Sequence, residues 1–154
     1  NVAGSPEICS LLPRDPDAAA KELRTQLEQL TGHRLSVLLS DTYSRPHRYA
    51  QIDMAIGVSG IDPVKNYRGQ VDSYGYQFKF KMQAIADELV ASAELVIGQA
   101  NERIPVAIIR GYEYVWDERY SARELSLIKR GTRDIFEGVI LVPNEVEKKE
   151  GEGV

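Results

Sequence analysis

An α+β fold, with a mixed sheet packed against helices, is what this sequence predicts, on three observations. Helical and strand-like segments both occur, they follow one another irregularly rather than in strict β-α-β order, and no internal repeat is present. The chain has 154 residues, 43% hydrophobic and 27% charged, the balance of one soluble globular domain.

The first element is a helix. Asp15 is placed as N-cap, Pro16 at the first helical position and Asp17 in the electropositive first turn. Leu23, Leu27 and Leu30 then recur at helical spacing as a core-facing stripe, and Gly32 stops the helix. Residues 35–39 (LSVLL) read as a buried strand ending at Ser40, Asp41 and Thr42. Residues 43–75 are rich in Arg, Pro, Gly, Asp and Tyr, and only 52–58 (IDMAIGV) reads as a strand, with Gly57 as a bulge. Residues 77–81 (QFKFK) alternate as a further strand.

The strongest helix spans 82–97. Met82, Ile85, Ala86, Leu89, Ala93 and Val96 make its apolar face, Asp87, Glu88 and Glu94 oppose it, and Gly98 closes it. Residues 106–109 after Pro105 form another buried strand. A short helix follows, with Ser121 and Glu124 as a capping box ahead of Leu125 and Ile128, and 139–142 gives a last strand.

Composition excludes several functions. A net charge of -4 and a pI near 5.3 argue against non-specific binding to nucleic acid or an anionic membrane, and no apolar run reaches the roughly 18 residues of a membrane span. One cysteine, Cys9, and two histidines, His33 and His47, leave no thiol- or imidazole-rich metal site. A bound metal would use oxygen ligands, which means magnesium, manganese or calcium. The start at Asn1 lacks a methionine, a basic region and an apolar region, so it reads as the rear part of a longer protein and not as a signal peptide.

Three places could hold chemistry. Asp41 and Thr42, a carboxylate and a hydroxyl at a strand end, suit a hydrated divalent cation; spacing alone first reads Asp41 as a turn cap. Arg45, His47 and Arg48 form a basic cluster, of which Arg45 and Arg48 are candidates to clamp phosphate or carboxylate. The carboxylates Asp53, Asp62 and Asp72 accompany Gly-rich connections; each has the option of a turn, and Asp62 before Pro63 reads as a turn residue. Residues 98–103 (GQANER) follow the strong helix, where small and polar residues admit a ligand and Gln99 offers a neutral amide oxygen. No Walker loop, no dinucleotide GxGxxG and no nucleophile with a nearby base is present, so no catalytic residue is assigned.

The run SDTYSRPHRYAQIDMAIGVSGIDPVKNYRG resembles the signature SDTFGRPWRxGQxxxAIGxxGxxPxxDxRG of the coenzyme F420-0:L-glutamate ligases, the gamma-glutamyl ligases. IADELVASAELVIGQANERIPVAIIRG is similar to that family's ADELAxAAELVMGxxxxxPVxxxRG, and Asn1-Val2, LLPRDPDAAA and RGTRDIFEGVIL also fit. The loop departs from the pattern at Ser44, His47, Tyr49, Ala50 and Asp53.

The resemblance implies a cytoplasmic, homodimeric ligase with the gamma-glutamyl ligase fold, of which residues 1–143 are the C-terminal portion and 144–154 a charged tail. Its implied reaction uses GTP and Mg2+ or Mn2+ to activate a carboxylate of the deazaflavin coenzyme precursor as an acyl phosphate, which L-glutamate then attacks. By the same resemblance Asp41, Thr42 and Gln99 are metal ligands, and Asn1 together with Ile97, Gly98, Gln99, Ala100, Asn101, Glu102, Arg103 and Ile104 contacts the nucleotide. The rival expectation is a non-catalytic dimerisation or ligand-binding domain derived from the family. An acidic metal ligand shortly before Asn1 belongs to the family pattern and would favour the ligase.

Overall fold

The computed structural model describes residues 7–45 and 47–125. Asn1, the strand expected at 139–142, Ile128 and the charged tail lie outside the described residues. The order of elements is α1 (Pro16–Thr31), β1 (Val37–Ser44), β2 (Gln51–Ser59), β3 (Val64–Asn66), β4 (Met82–Ala84), α2 (Ile85–Ile97) and a short 3-10 turn, Ala122–Glu124. The α+β class holds, and among the described residues every strand pair is antiparallel, so the sheet is not mixed there: β1 pairs with β2 and β3 with β4.

The ends of α1 follow from its caps. The Asp15 carboxylate accepts from the Ala18 N–H at 3.0 Å, Pro16 opens the helix, and Gly32 closes it at φ 70°, its N–H donating to the Glu28 carbonyl. The leucine stripe, however, is not the buried face. Leu23, Leu27 and Leu30 are exposed, Leu30 by 83%, while Ala20 and Arg24 are buried. The face turned inward is the one carrying Asp17, Ala20 and Arg24. Arg24 is enclosed because its guanidinium is fully engaged: it donates to Ser59 Oγ (2.9 Å), Glu28 (2.9 Å) and Glu118 (2.6 Å), and its guanidinium carbon lies 5.3 Å from the Trp116 ring centre.

The β1–β2 ribbon is the frame of the molecule. Leu39 pairs with Gly57 and Ser40 with Ala55, so Ile56 is an extra residue and β2 bulges there, next to the expected position. Gly57 is required for packing: a Cβ at that position would overlap the Pro16 carbonyl, so its absence lets the start of α1 lie on the strand. Among the described residues no strand lies beside the far edge of β2, and three helix carboxylates take its N–H groups. Asp53 donates to Glu94 Oε2 (2.8 Å), Ala55 to Asp87 Oδ1 (3.0 Å) and Val58 to Asp17 Oδ1 (2.8 Å). The step from 55 to 58 follows from the bulge, which shifts the outward-facing N–H groups by one residue. Asp87 and Glu94, expected to oppose the buried face of the helix, therefore act as edge covers.

The α2 helix starts at Ile85, three residues later than its periodicity predicts, because Met82, Gln83 and Ala84 pair with β3. No side chain caps it; the Ala86 N–H donates to the Pro63 carbonyl. Val58, Ile61, Ala86 and Ala122 form the core, with Leu38, Ala55, Leu89 and Leu125 packed against it. Residues 64–84 run out and back as a hairpin arm: 77–81 are not a regular strand but bond back to 67–70, with Tyr67 and Phe78 edge to face at 6.3 Å. Residues 106–109 are not paired as a strand among the described residues, and Val106 and Ile108 are exposed. An apolar run marks β propensity, but a strand also needs a neighbour to take its N–H and C=O groups. Ser121 Oγ accepts from the Arg123 N–H (3.3 Å), but only one 3-10 turn follows within the described residues.

Candidate functional site: the polar end of the ribbon

Strand alternation puts Leu38, Ser40 and Thr42 of β1 on one face, with Val58, Ala55 and Asp53 of β2 beside them. That face is apolar at one end, where Ala86 and Leu89 cover it, and polar at the other. There α2 ends at Gly98 and delivers Gln99. The Thr42 hydroxyl lies 3.2 Å from Gln99 Oε1, a residue 57 positions away, and 3.2 Å from Asp53 Oδ1. Ser40 Oγ donates to Asp53 Oδ2 (2.7 Å), and Gln99 Nε2 donates to Asp53 Oδ1 (3.2 Å) and Glu94 Oε1 (2.7 Å). Asp53 is 6% exposed, and Glu94 and Thr42 are half-buried.

Of the two places open to Asp53, a turn or the strand 52–58, the strand is the one found. Asp53 lies inside β2, paired with Thr42, and is buried because hydroxyl and amide donors satisfy its carboxylate. Asp62 and Asp72 do hold turns: Asp62 accepts from the Val64 N–H (2.9 Å), and Asp72 from the N–H groups of Tyr74 (2.8 Å) and Tyr76 (2.9 Å). Asp41 is not a turn cap either, since β1 continues to Ser44. It is exposed, and alternation sets it on the opposite face from Ser40 and Thr42. Of the expected metal ligands, the fold thus brings Thr42 and Gln99 together and holds Asp41 one residue away on the other face.

Arg45 follows the end of β1, half-buried, and its Nη1 is enclosed with no hydrogen-bond partner among the described residues. A buried guanidinium nitrogen in that state is a donor for an anion. Arg48 is exposed on the turn between the strands. Beyond α2 the chain curls tightly. Gly98 has φ 71°, and a Cβ there would overlap the Glu102 side chain. The Glu102 carboxylate accepts from the Ala100 N–H (2.9 Å). That N–H, with those of Glu102 and Asn101, holds the Glu102 carboxyl below its usual range. The Ala100 N–H, in the expected nucleotide segment, thus serves an anionic oxygen.

The donor set is hard oxygen, the Thr42 hydroxyl and the Gln99 amide oxygen, backed through hydrogen bonds by the carboxylates of Asp53 and Glu94. It fits magnesium or manganese. Among the described residues no group of three or more His, Cys, Asp and Glu is arranged around a point, so neutral oxygens are an essential part of that set. Two depressions near the start of α1, one lined by Asp15, Asp17 and Tyr120 and the other by Arg14, Pro16 and Ile56, contain none of these residues.

Comparison with known proteins gives this geometry a context. The profile of a family described as F420-0:gamma-glutamyl ligase matches residues 1–111. The coenzyme F420:L-glutamate ligase of Methanothermobacter thermautotrophicus is 41% identical over 132 residues, 85% of this chain and 52% of the relative. Its counterpart from Methanocaldococcus jannaschii is 46% identical over 126 residues, 82% of this chain and 49% of the relative. That from Methanopyrus kandleri is 39% identical over 132 residues, covering 85% and 52%. The chain spans about half the length of the curated relatives it matches.

Proposed function

Because this chain belongs to the F420-0:gamma-glutamyl ligase family, we propose that it supplies part of the active site of an enzyme joining L-glutamate to the coenzyme F420 precursor, using GTP and Mg2+ or Mn2+. The observation that carries the proposal is the meeting of Thr42 and Gln99 across 57 residues at the polar end of the ribbon. Those two residues would hold one cation, and Asp41, on the opposite face of β1, would hold a second. When bound, a divalent cation neutralises triphosphate oxygens and orients the γ-phosphoryl group.

The chain's own groups support the remaining tasks. The Ala100 N–H, which serves the Glu102 carboxylate, suits a phosphate oxygen. Arg45, whose Nη1 has no partner among the described residues, suits a carboxylate or phosphate. In the proposed reaction a carboxylate oxygen of the precursor attacks the γ-phosphorus of GTP, and GDP leaves. The glutamate amine then attacks the acyl carbon, loses a proton and expels phosphate, leaving an amide. Holding the two acceptors beside the phosphoryl donor can contribute roughly 7–11 kcal/mol of the barrier reduction.

The test is phosphate release by the intact natural protein given GTP, Mn2+, L-glutamate and the precursor. The expected result is release that requires all four, with a glutamyl adduct in the product mass. GTP hydrolysis indifferent to precursor and glutamate, or no turnover at all, would overturn the proposal.

A further inference from the structure

The Gln99 carboxamide is held by two carboxylates, and that arrangement decides which way it faces. Its Nε2 donates to both Asp53 Oδ1 and Glu94 Oε1. Ionised carboxylates only accept, so only the NH2 end of the amide can face them, and Oε1 is left on the Thr42 side. The two acids are also tied to each other, because the Asp53 N–H donates to Glu94 Oε2. Asp53, Glu94 and Gln99 therefore close a ring of hydrogen bonds linking β2, α2 and the segment after α2. Thr42 has one hydroxyl proton and two acceptors in reach, Asp53 Oδ1 and Gln99 Oε1. Donating that proton to Asp53 leaves the Thr42 lone pairs and the Gln99 oxygen 3.2 Å apart with no proton between them. Ser40 steadies Asp53 from the other oxygen. Among the described residues no Lys or Arg is paired with either carboxylate.

We propose that Asp53 and Glu94 are a positioning pair, which fixes the Gln99 carboxamide and the Thr42 hydroxyl so that their oxygens present a preset site to a divalent cation. The inference rests on the reading of this end of the ribbon as the cation site. Groups that orient metal ligands in this way are worth about 10–100-fold in metal affinity.

The test uses the intact natural protein, with Mn2+ alone as the probe, and the variants Glu94→Gln and Asp53→Ala. Glu94 serves two donors through two oxygens; a glutamine has one oxygen, so one of the two hydrogen bonds must be lost. Glu94 is half-buried, so its variant carries the test if Asp53→Ala does not fold. Two readouts are taken: the side-chain amide resonances of Gln99 without metal, and Mn2+ affinity by calorimetry. The expected result is displaced Gln99 amide resonances before any metal is added, and Mn2+ affinity lowered about 10–100-fold in folded variants. Unchanged Gln99 resonances, or unchanged Mn2+ affinity in folded Glu94→Gln, would overturn the positioning role while leaving the site reading intact. A natural protein that binds no Mn2+ would overturn the site reading, and this inference with it.

Discussion

Asp41 and Asp53 stand on paired strands, yet one is exposed and without a partner among the described residues while the other is buried among three donors, so their substitutions should behave differently. Asp41→Asn keeps the side chain's shape and removes only its charge. With no hydrogen bond or ion pair to lose among the described residues, the fold should keep its melting temperature within about 2 °C, a surface change of under ~0.5 kcal/mol. Mn2+ affinity should fall about tenfold or more, because a hard cation needs that charge; unchanged affinity by calorimetry would remove Asp41 from the site. Asp117 offers a pH test of the local geometry. Arg119 donates to its carboxylate through Nε and Nη2, and hydrogen bonds from that side chain and from the Arg119 N–H lower its pKa to about 2. A lowered carboxyl pKa contributes stability above pH 3.8, the ordinary value, and that contribution is lost as pH falls through about 2. Carbon-detected NMR should place the Asp117 titration near 2, and Arg119→Ala should return it toward 3.8.

The helices show how far periodicity reaches. Both caps of α1 were legible because capping is local: Asp15, Pro16 and Gly32 act within one turn. Its buried face was not, because Leu23, Leu27 and Leu30 mark the more apolar side without saying what lies against it, whereas Arg24 is buried by partners 35 and 94 residues away. Asp53 was missed for the same reason. An aspartate near glycines has the local signature of a turn, and its true partners, Ser40, Thr42 and Gln99, come together only in the folded chain. Thr42 and Gln99 were candidates from local chemistry, a hydroxyl at a strand end and an amide after a helix, but only the family's motifs placed them in one site. Gly57 marked a weak point or bulge in the strand; the extra residue is its neighbour Ile56, and the role of the glycine itself is steric. Gly57→Ala should destabilise the protein by about 2–3 kcal/mol in urea unfolding, since backbone of α1 rather than a mobile side chain meets the added methyl. A cost below about 0.5 kcal/mol would show that α1 does not rest on that strand.

Taken as a molecule, the described chain has a small core beside much uncovered apolar surface. Leu23 and Leu30 on α1, Leu95 and Val96 on α2, and Val106 and Ile108 after it are all exposed. No helix among the described residues is long and apolar enough to cross a membrane. Surfaces of this kind mark protein contacts. The expected assembly of the natural protein is a homodimer; light scattering at micromolar concentration should give twice the chain mass, and a monomer with no concentration dependence would contradict it.

The account turns on whether the polar end of the ribbon joins metal to nucleotide, and calorimetry of GTP binding with and without Mn2+ tests that most directly. The intact natural protein should bind GTP far more tightly with Mn2+ present, and Gln99→Leu should lose most of that enhancement while remaining folded. GTP affinity indifferent to Mn2+, or an enhancement fully retained in Gln99→Leu, would contradict it.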